Sequence, residues 1–249
     1  MTGSVRPAAT VVLLRDTDDG LETFVMRRAS TMAFAPRMHV FPGGRVDAVD
    51  YEERVRFVSG DPVMLAARGS TDVPGIAALY SCAIRETAEE AGIDIAIRDD
   101  EDHLLVDPDA LPIIDHWVTP EVESHRYDVR FFAAVVTQAR LTTTEADTAA
   151  WIDPATAVAE FEAGRMAMLP PTETVLRRLA AFTRSSDVLV DARTRAVAPL
   201  LPRRLVGDDG QSRWVLVHDR TGEILVDGIR MPHTRETDGA PMAEPGVQE

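Results

Sequence analysis

Arg85-Glu86-Thr87-Ala88-Glu89-Glu90-Ala91-Gly92-Ile93 places three carboxylates at spacing i, i+3, i+4. An α-helix turns about 100° per residue, so Glu86, Glu89 and Glu90 project from one narrow face. Carboxylates crowded this way repel, and a helix gains nothing from them. The crowding makes sense when a hard cation sits among them, because oxygen ligands are what Mg²⁺ and Mn²⁺ take. The competing reading is a solvated acidic helix face. The flanks bear on the choice. Upstream, Phe41-Pro42-Gly43-Gly44-Arg45-Val46-Asp47 reads as a strand end breaking into a glycine-permitted turn. Downstream, Gly92 reads as the residue just past a helix, and Ile93, Ile95 and Ile97 alternate as a strand would.

Strand, glycine turn, acidic helix, glycine stop, strand is the order that resembles the Nudix hydrolases. Their box runs G-x5-E-x7-R-E-U-x-E-E-x-G-U, with U a bulky apolar residue. Gly44 matches the first glycine, and Arg85 to Ile93 match the second half, with Thr87 in an apolar slot. Gly44 and Arg85 stand 41 positions apart where the family pattern has 14, an insertion of 27 residues. The first box glutamate therefore has two candidate positions: Asp50 counting forward from Gly44, Ala77 counting back from Arg85. The long box resembles the branch that includes the peroxisomal coenzyme A diphosphatases of animals. The shared runs are Arg27-Arg28-Ala29-Ser30, His39 to Gly44, Cys82 to Thr87, His116-Trp117-Val118-Thr119-Pro120, Arg126-Tyr127-Asp128, Phe131-Phe132 and Leu169-Pro170-Pro171-Thr172.

The resemblance implies an α+β fold, an α/β/α sandwich with a mixed β-sheet flanked by helices. It implies cleavage of a pyrophosphate bond in a nucleoside diphosphate linked to another moiety, a small-molecule substrate. Coenzyme A or its thioesters fit that class; ADP-ribose, NADH and nucleotide sugars remain alternatives, as does a Nudix-fold module that binds a nucleotide without cleaving it. The implied metal ligands, for Mg²⁺ or Mn²⁺, are Glu86, Glu89, Glu90 and the Gly44 carbonyl. Glu89 and Glu90 are implied catalytic residues, with Arg85 orienting a glutamate by ion pairing. Glu145 precedes Trp151 as an acidic loop residue does in many of these enzymes, and is the candidate for a further metal ligand or the base; Asp147 competes for that role. A coenzyme A signature laid over Phe24 to Gly44 is met by Arg28 and Ala29, but has Ala33 at its second arginine and Arg37 at its glycine.

Composition narrows the rest. The chain has 249 residues, of which 45% are hydrophobic, enough for one sizeable core or a core with an appendage. Its single cysteine, Cys82, precludes an internal disulfide and fits a reducing, cytoplasmic setting; amid Leu79, Ala83 and Ile84 it reads as a packed core thiol. No run approaches the ~18 apolar residues of a membrane span, and no membrane association is expected. A formal net charge of -15 argues against nucleic-acid binding. The same charge would repel a polyphosphate, but residues 23–46 contain no acid and hold Arg27, Arg28, Arg37 and Arg45. Arginine's planar fork suits phosphate, which makes Arg28, Arg37 and Arg45 the substrate-binding candidates. Arg27 and Arg28 are adjacent on a strand, so at most one of the two faces the site. No HxxxH-type spacing occurs; His39 reads as structural, and His116 and His125 as loop hydrogen-bonders. Ser30 and Ser81 lack a partnered His/Asp motif.

The expected organisation is a Nudix domain over 8–182, with the insertion at about 51–77, then a small C-terminal β extension over 187–231 and a disordered tail over 232–249. Ala9 to Arg15 and Leu21 to Arg28 read as a hairpin. The insertion reads as some helix followed by a surface loop. Ile76 to Ala91 reads as the acidic helix, Arg126 to Thr137 as an apolar strand, and Asp153-Pro154 as the cap and first position of a helix that Gly164 closes. Another helix is expected from Thr172 to about Phe182. Trp214 to His218 and Glu223 to Val226 flank Asp219-Arg220-Thr221-Gly222, a hairpin signal that is compatible with a homodimer built on the extension.

Overall fold

Strand β1 (Arg6–Thr17) organises the molecule, because both its faces are apolar. Val11 and Leu13 enter one core and Val12 and Leu14 the other, as a period of two demands. A computed structural model of the chain describes residues 5–32, 35–206, 211–227 and 229. β1 turns at Gly20 into β2 (Gly20–Arg28), pairing Leu14 with Thr23. It also pairs in parallel with β9 (Tyr127–Val135) and antiparallel with the short β4 (Gly43–Arg45). The remaining strands of the main sheet are β3 (His39–Val40), β8 (Ile113–Val118), β10 (Ala146–Ile152), β11 (Leu200–Val206), β12 (Ser212–His218) and β13 (Ile224–Asp227). The sheet runs β10-β2-β1-β9-β8-β11-β12-β13, with β3 on β2 and β4 on β1, and it mixes parallel and antiparallel pairs.

One face is covered by α3 (Val73–Ala91), whose Ile76, Leu79, Tyr80 and Ala83 pack with Phe24, Met26 and Phe132. The other is covered by α4 (Pro154–Glu162), α5 (Pro170–Leu179) and α6 (Ser185–Thr194), through Ala157, Val175, Leu176, Leu179, Val188 and Ala192. The α/β/α sandwich implied by the resemblance is what forms. No helix among the described residues is long and apolar enough to cross a membrane.

Several local expectations change. α3 begins at Val73, three residues before Ile76, because the Asp72 side chain caps the Gly75 N–H at 2.8 Å and Pro74 tolerates the first turn. Gly92, at φ 63°, ends it as expected. Ile93 and Ile95 do not enter a strand; they lean on the core, and pairing starts only at β6 (Ile97–Arg98). β6 belongs to a three-stranded sheet, β5-β7-β6, with β5 (Val55–Phe57) and β7 (Leu104–Val106). The short helix α1 (Ala48–Glu52) leads into the insertion, which supplies β5 and α2 (Pro62–Arg68). Residues 187–194, expected within a β extension, complete the helix α6, whose Ser185 N–H and hydroxyl both donate to Asp16. The following β11 joins β8 in parallel at Leu200 and Trp117, so the extension widens the main sheet. The tail expected over 232–249 lies outside the described residues.

A buried ionic tie fastens the insertion to the sheet. Arg130 on β9 donates to the Gly69 carbonyl at 2.8 Å and pairs with Asp128 at 2.6 Å. His116 on β8, expected in a loop, is buried in a strand and meets Asp128 at 2.5 Å.

Candidate active site

The glycine turn and the acidic helix meet where β4 crosses β1. Register pairs Thr10 with Gly43 and Ala9 with Gly44, which lays the turn's backbone against α3. The Gly43 N–H donates to Glu90 Oε2 at 2.8 Å. A Cβ on Gly44 would stand 2.3 Å from Glu86 Oε1, so only glycine lets that carboxylate lie on the backbone. The Cys82 thiol donates toward the carbonyls of Gly44 and Arg45 at 3.6 and 3.3 Å. Burial pushes that thiol well above its usual range, which suits an inert packed cysteine.

Arg85 gathers the acids around it. Its Nε and Nη2 donate to the two oxygens of Asp50 at 3.1 and 2.8 Å, and its Nη1 donates to Glu86 at 2.7 Å and Glu89 at 3.2 Å. The bond to Asp50 is the main reason that its guanidinium holds its proton more tightly than an ordinary arginine. Asp50, 1% exposed, also accepts from the Asp47 N–H at 2.9 Å and the Ser81 hydroxyl at 3.2 Å. Of the two positions left open for the first box acid, Asp50 is the one in contact with Arg85; Ala77 has no carboxylate to offer.

The electrostatics are unfavourable for bare carboxylates. Burial pushes Glu86 above the usual carboxylate range, against the pull of Arg85. Glu90 is pushed up to about 7, first by burial; the Gly43 N–H and Arg28 pull down, while Glu86 and Glu145 push further up. Among the described residues, no three acidic, His or Cys side chains already converge as a metal cage. The donor set nevertheless fits a hard dication. It offers the buried Glu90 and the partly buried Glu86, both held above the usual carboxylate range, a third carboxylate on the same helix face, and a glycine cradle that a Cβ would fill.

The loop between β9 and β10 is docked on the end of the acidic helix. Arg140 N–H donates to the Ala91 carbonyl at 3.0 Å, Thr142 N–H to Glu90 at 3.0 Å, and the Thr142 hydroxyl to Glu89 at 2.7 Å. These are carbonyls a helix terminus leaves without intrahelical partners. The loop carries Glu145 into the wall of a cavity of about 320 Å³ that also takes in Gly43, Gly44, Arg28 and Arg45. Asp147 sits at a β-bulge between Ala146 and Thr148 and turns to Arg27, 3.6 Å away. Glu145, not Asp147, therefore faces the site, and of the adjacent arginines it is Arg28 that does so. Arg45 lines the cavity while paired with Asp47 at 2.9 Å. Arg37 is not brought in: it adopts φ 62° and donates its N–H to the Arg28 carbonyl at 3.0 Å, off the cavity wall.

The far wall is apolar. Trp117, Val118, Tyr127, Phe131, Leu169 and Pro170 line it. These belong to the runs His116 to Pro120, Arg126 to Asp128, Phe131-Phe132 and Leu169 to Thr172, which carried the resemblance without a role of their own. His39 is structural, as expected; its N–H donates to Ala167 at 2.7 Å and holds the Leu169 segment beside β3. His125, in an exposed loop, meets Ser124 at 3.1 Å, outside the cavity wall. Thr142 escaped the sequence reading altogether, because its partners are backbone carbonyls that no pattern encodes.

The profile of the NUDIX domain matches residues 5–172. The chain is similar to the acyl-coenzyme A diphosphatase NUDT19 of Xenopus laevis, 24% identical over 228 residues, covering 65% of this chain and 60% of that protein. It is similar to the putative nudix hydrolase 7 of Caenorhabditis elegans, 26% identical over 194 residues, covering 72% and 62%. The matches thus span about three fifths of these relatives' length. Among solved structures, the NUDIX hydrolase of Alicyclobacillus acidocaldarius superposes with a TM-score of 0.61 at 29% identity, covering 76% of this chain and 97% of that one.

Proposed function

The chain belongs to the NUDIX domain family, and we propose that it hydrolyses a pyrophosphate bond in a nucleoside diphosphate linked to a further organic group. The observation that carries this reading is the contact of Glu86 and Glu90 with the Gly43-Gly44 turn, at the mouth of a cavity that also holds Arg28 and Arg45. Glu86, Glu89, Glu90 and the Gly44 carbonyl would hold Mg²⁺ or Mn²⁺, which supplies Lewis acidity and a more acidic water when bound. Arg85, fixed by Asp50, orients Glu86 and Glu89. A box glutamate or Glu145 on the cavity wall accepts the proton of the attacking water. Arg28 and Arg45 counter the phosphate charge in a chain whose net charge is otherwise -15.

The substrate we favour is coenzyme A or one of its thioesters. Its support is the likeness to the Xenopus laevis acyl-coenzyme A diphosphatase and the long apolar wall beyond the phosphate end of the cavity. The single, buried Cys82 suits a cytoplasmic enzyme. The deciding experiment is a substrate panel of coenzyme A, acyl-coenzyme A, ADP-ribose, NADH and a nucleotide sugar, each with Mg²⁺ and with Mn²⁺. Products are resolved by chromatography. Release of a 3′,5′-bisphosphate and a pantetheine phosphate supports the favoured substrate. Cleavage of another member moves the specificity and keeps the chemistry. Tight binding with no product overturns the hydrolase reading; wild-type turnover by either Glu89→Gln or Glu90→Gln at saturating Mg²⁺ overturns the assignment of the site residues.

A further inference from the structure

Thr172 is 4% exposed and contributes to the cavity wall. Among the described residues its hydroxyl has no hydrogen-bond partner. Among the described residues, the fully enclosed side-chain atoms without partners are Arg27 Nε, His116 Nδ1 and Trp117 Nε1; the Thr172 oxygen is not one of them. The oxygen of this largely buried, cavity-lining residue is therefore neither paired nor fully enclosed. No protein group pairs with the hydroxyl, so only water or a ligand in the cavity can complete it.

The backbone around it has the same character. Thr172 lies in the first turn of α5, a ten-residue helix whose N-cap, Leu169, has no side-chain cap. Pro170 and Pro171 carry no N–H, and the Glu173 N–H donates to Leu169 at 3.1 Å. The Thr172 N–H is thus the first-turn donor left over, at the positive end of the helix dipole. The cavity wall it joins includes Leu169, Pro170, Trp117 and Phe131, with Thr119 and Glu123, while the cavity's arginines come from β2 and β4 at the glycine turn. One hydroxyl and one N–H between apolar side chains, with two donors removed by proline, suit a neutral acceptor better than a phosphate dianion.

We propose that this helix end and the Thr172 hydroxyl form a subsite for a neutral hydrogen-bond acceptor, an amide carbonyl or a ring nitrogen, on the organic group attached to the diphosphate. The subsite rests on the pyrophosphohydrolase reading and adds a determinant of specificity to it. A site built to pair with an acceptor discriminates against substrates that lack one, because its own polar atoms are then left unpaired.

The test uses the full-length protein with Thr172→Val, which keeps the shape and removes the hydroxyl, and Thr172→Ser, which restores it. Steady-state constants are measured with Mg²⁺ for coenzyme A, which carries amides and an adenine, and for ADP-ribose, which carries the adenine alone. Ligand-induced thermal shifts are recorded alongside. Thr172→Val is expected to raise KM about three- to tenfold, the weight of one neutral hydrogen bond, with kcat within about twofold. The ligand-induced shift shrinks in step, and Thr172→Ser recovers both. A rise for both substrates assigns the acceptor to the ring; a rise for coenzyme A alone assigns it to an amide. If the wild type cleaves only one of the two, that substrate decides. The free Thr172→Val protein should melt at the wild-type temperature or above, since the hydroxyl has no partner to lose. Unchanged KM, failure of Thr172→Ser to restore it, or a lowered melting temperature in place of a KM effect overturns the subsite. Wild-type protein that cleaves no diphosphate at all would instead remove the reading on which it rests.

Discussion

The Asp50 carboxylate receives both Nε and Nη2 of Arg85, at 3.1 and 2.8 Å, and does so from the short helix α1 beside the insertion. A fully buried carboxylate is tolerable only with such pairing, and removal of one partner leaves the other charge uncompensated. Asp50→Asn is expected to cost about 2–4 kcal/mol in denaturant melts, toward the lower side because Arg85 is partly solvated. Arg85 would then be free to shift away from Glu86 and Glu89, so kcat should fall about 10- to 100-fold. Wild-type kcat in a folded Asp50→Asn protein would show that Arg85 does not orient the acids.

Thr142 couples the Glu145 loop to the acidic helix through the carbonyls of Glu89 and Glu90. Thr142→Val removes the 2.7 Å hydroxyl bond and keeps the methyl group that packs on Gly92. The expected stability loss is about 1 kcal/mol. If the loop serves to place Glu145, Thr142→Val should lower kcat several-fold in the wild type and have little further effect in a Glu145→Gln background. A double-mutant cycle measures this, and strictly additive effects would reduce Thr142 to a helix cap.

The sequence carried the helix and its stripe because periodicity and caps are local signals. Counting from Gly44 offered Asp50, with Ala77 as its rival, and the distance to Trp151 offered Glu145, with Asp147 as its rival. What stayed hidden depends on contacts between distant segments. The Leu200–Trp117 pairing that draws the C-terminal strands into the main sheet has no sequence signature. Residues 187–194 belong to the helix α6 where a β extension was expected, and the first turn of that helix is held by Asp16, 169 positions from Ser185. Arg37 matched the basic island by composition, yet its position beside a positive-φ turn takes it off the cavity wall. Ile93 and Ile95 alternate as a strand would, but both lean on the core without a ladder partner.

Glu90 makes stability depend on pH in a definite direction. Its carboxyl is raised from 4.5 to about 7 in the fold, so the native state binds the proton more tightly than the unfolded chain. The stabilisation from this group is complete below about 4.5 and is lost as pH rises through about 7. In chelator, Glu90→Gln should therefore be more stable than wild type at pH 8, by up to about 2–3 kcal/mol, and nearly equal to it at pH 4. Because a metal-ligating carboxylate must be ionised, Mn²⁺ should raise the wild-type melting temperature more at pH 8 than at pH 5.5. Equal pH slopes for Glu90→Gln and wild type in chelator would contradict the burial argument.

Gly43 and Gly44 are adjacent, yet substitution at each should fail for a different reason. A Cβ on Gly43 would meet the Ala9 carbonyl oxygen at 2.4 Å and the Thr10 Cα at 2.7 Å, both backbone of the central strand β1. That strand is paired on both sides and cannot give way, so Gly43→Ala should cost more than about 2 kcal/mol and lower the melting temperature. The three atoms nearest a Cβ on Gly44 all belong to the Glu86 carboxylate, the first at 2.3 Å, which is the free end of a flexible side chain and can swing aside. Gly44→Ala should therefore melt within about 1 kcal/mol of wild type while kcat/KM falls at least about 100-fold, because the acid that leaves is a proposed metal ligand. Paired melts and kinetics on the two variants separate these outcomes. A Gly44→Ala protein that keeps its activity would place the Glu86 contact with the turn outside the chemistry.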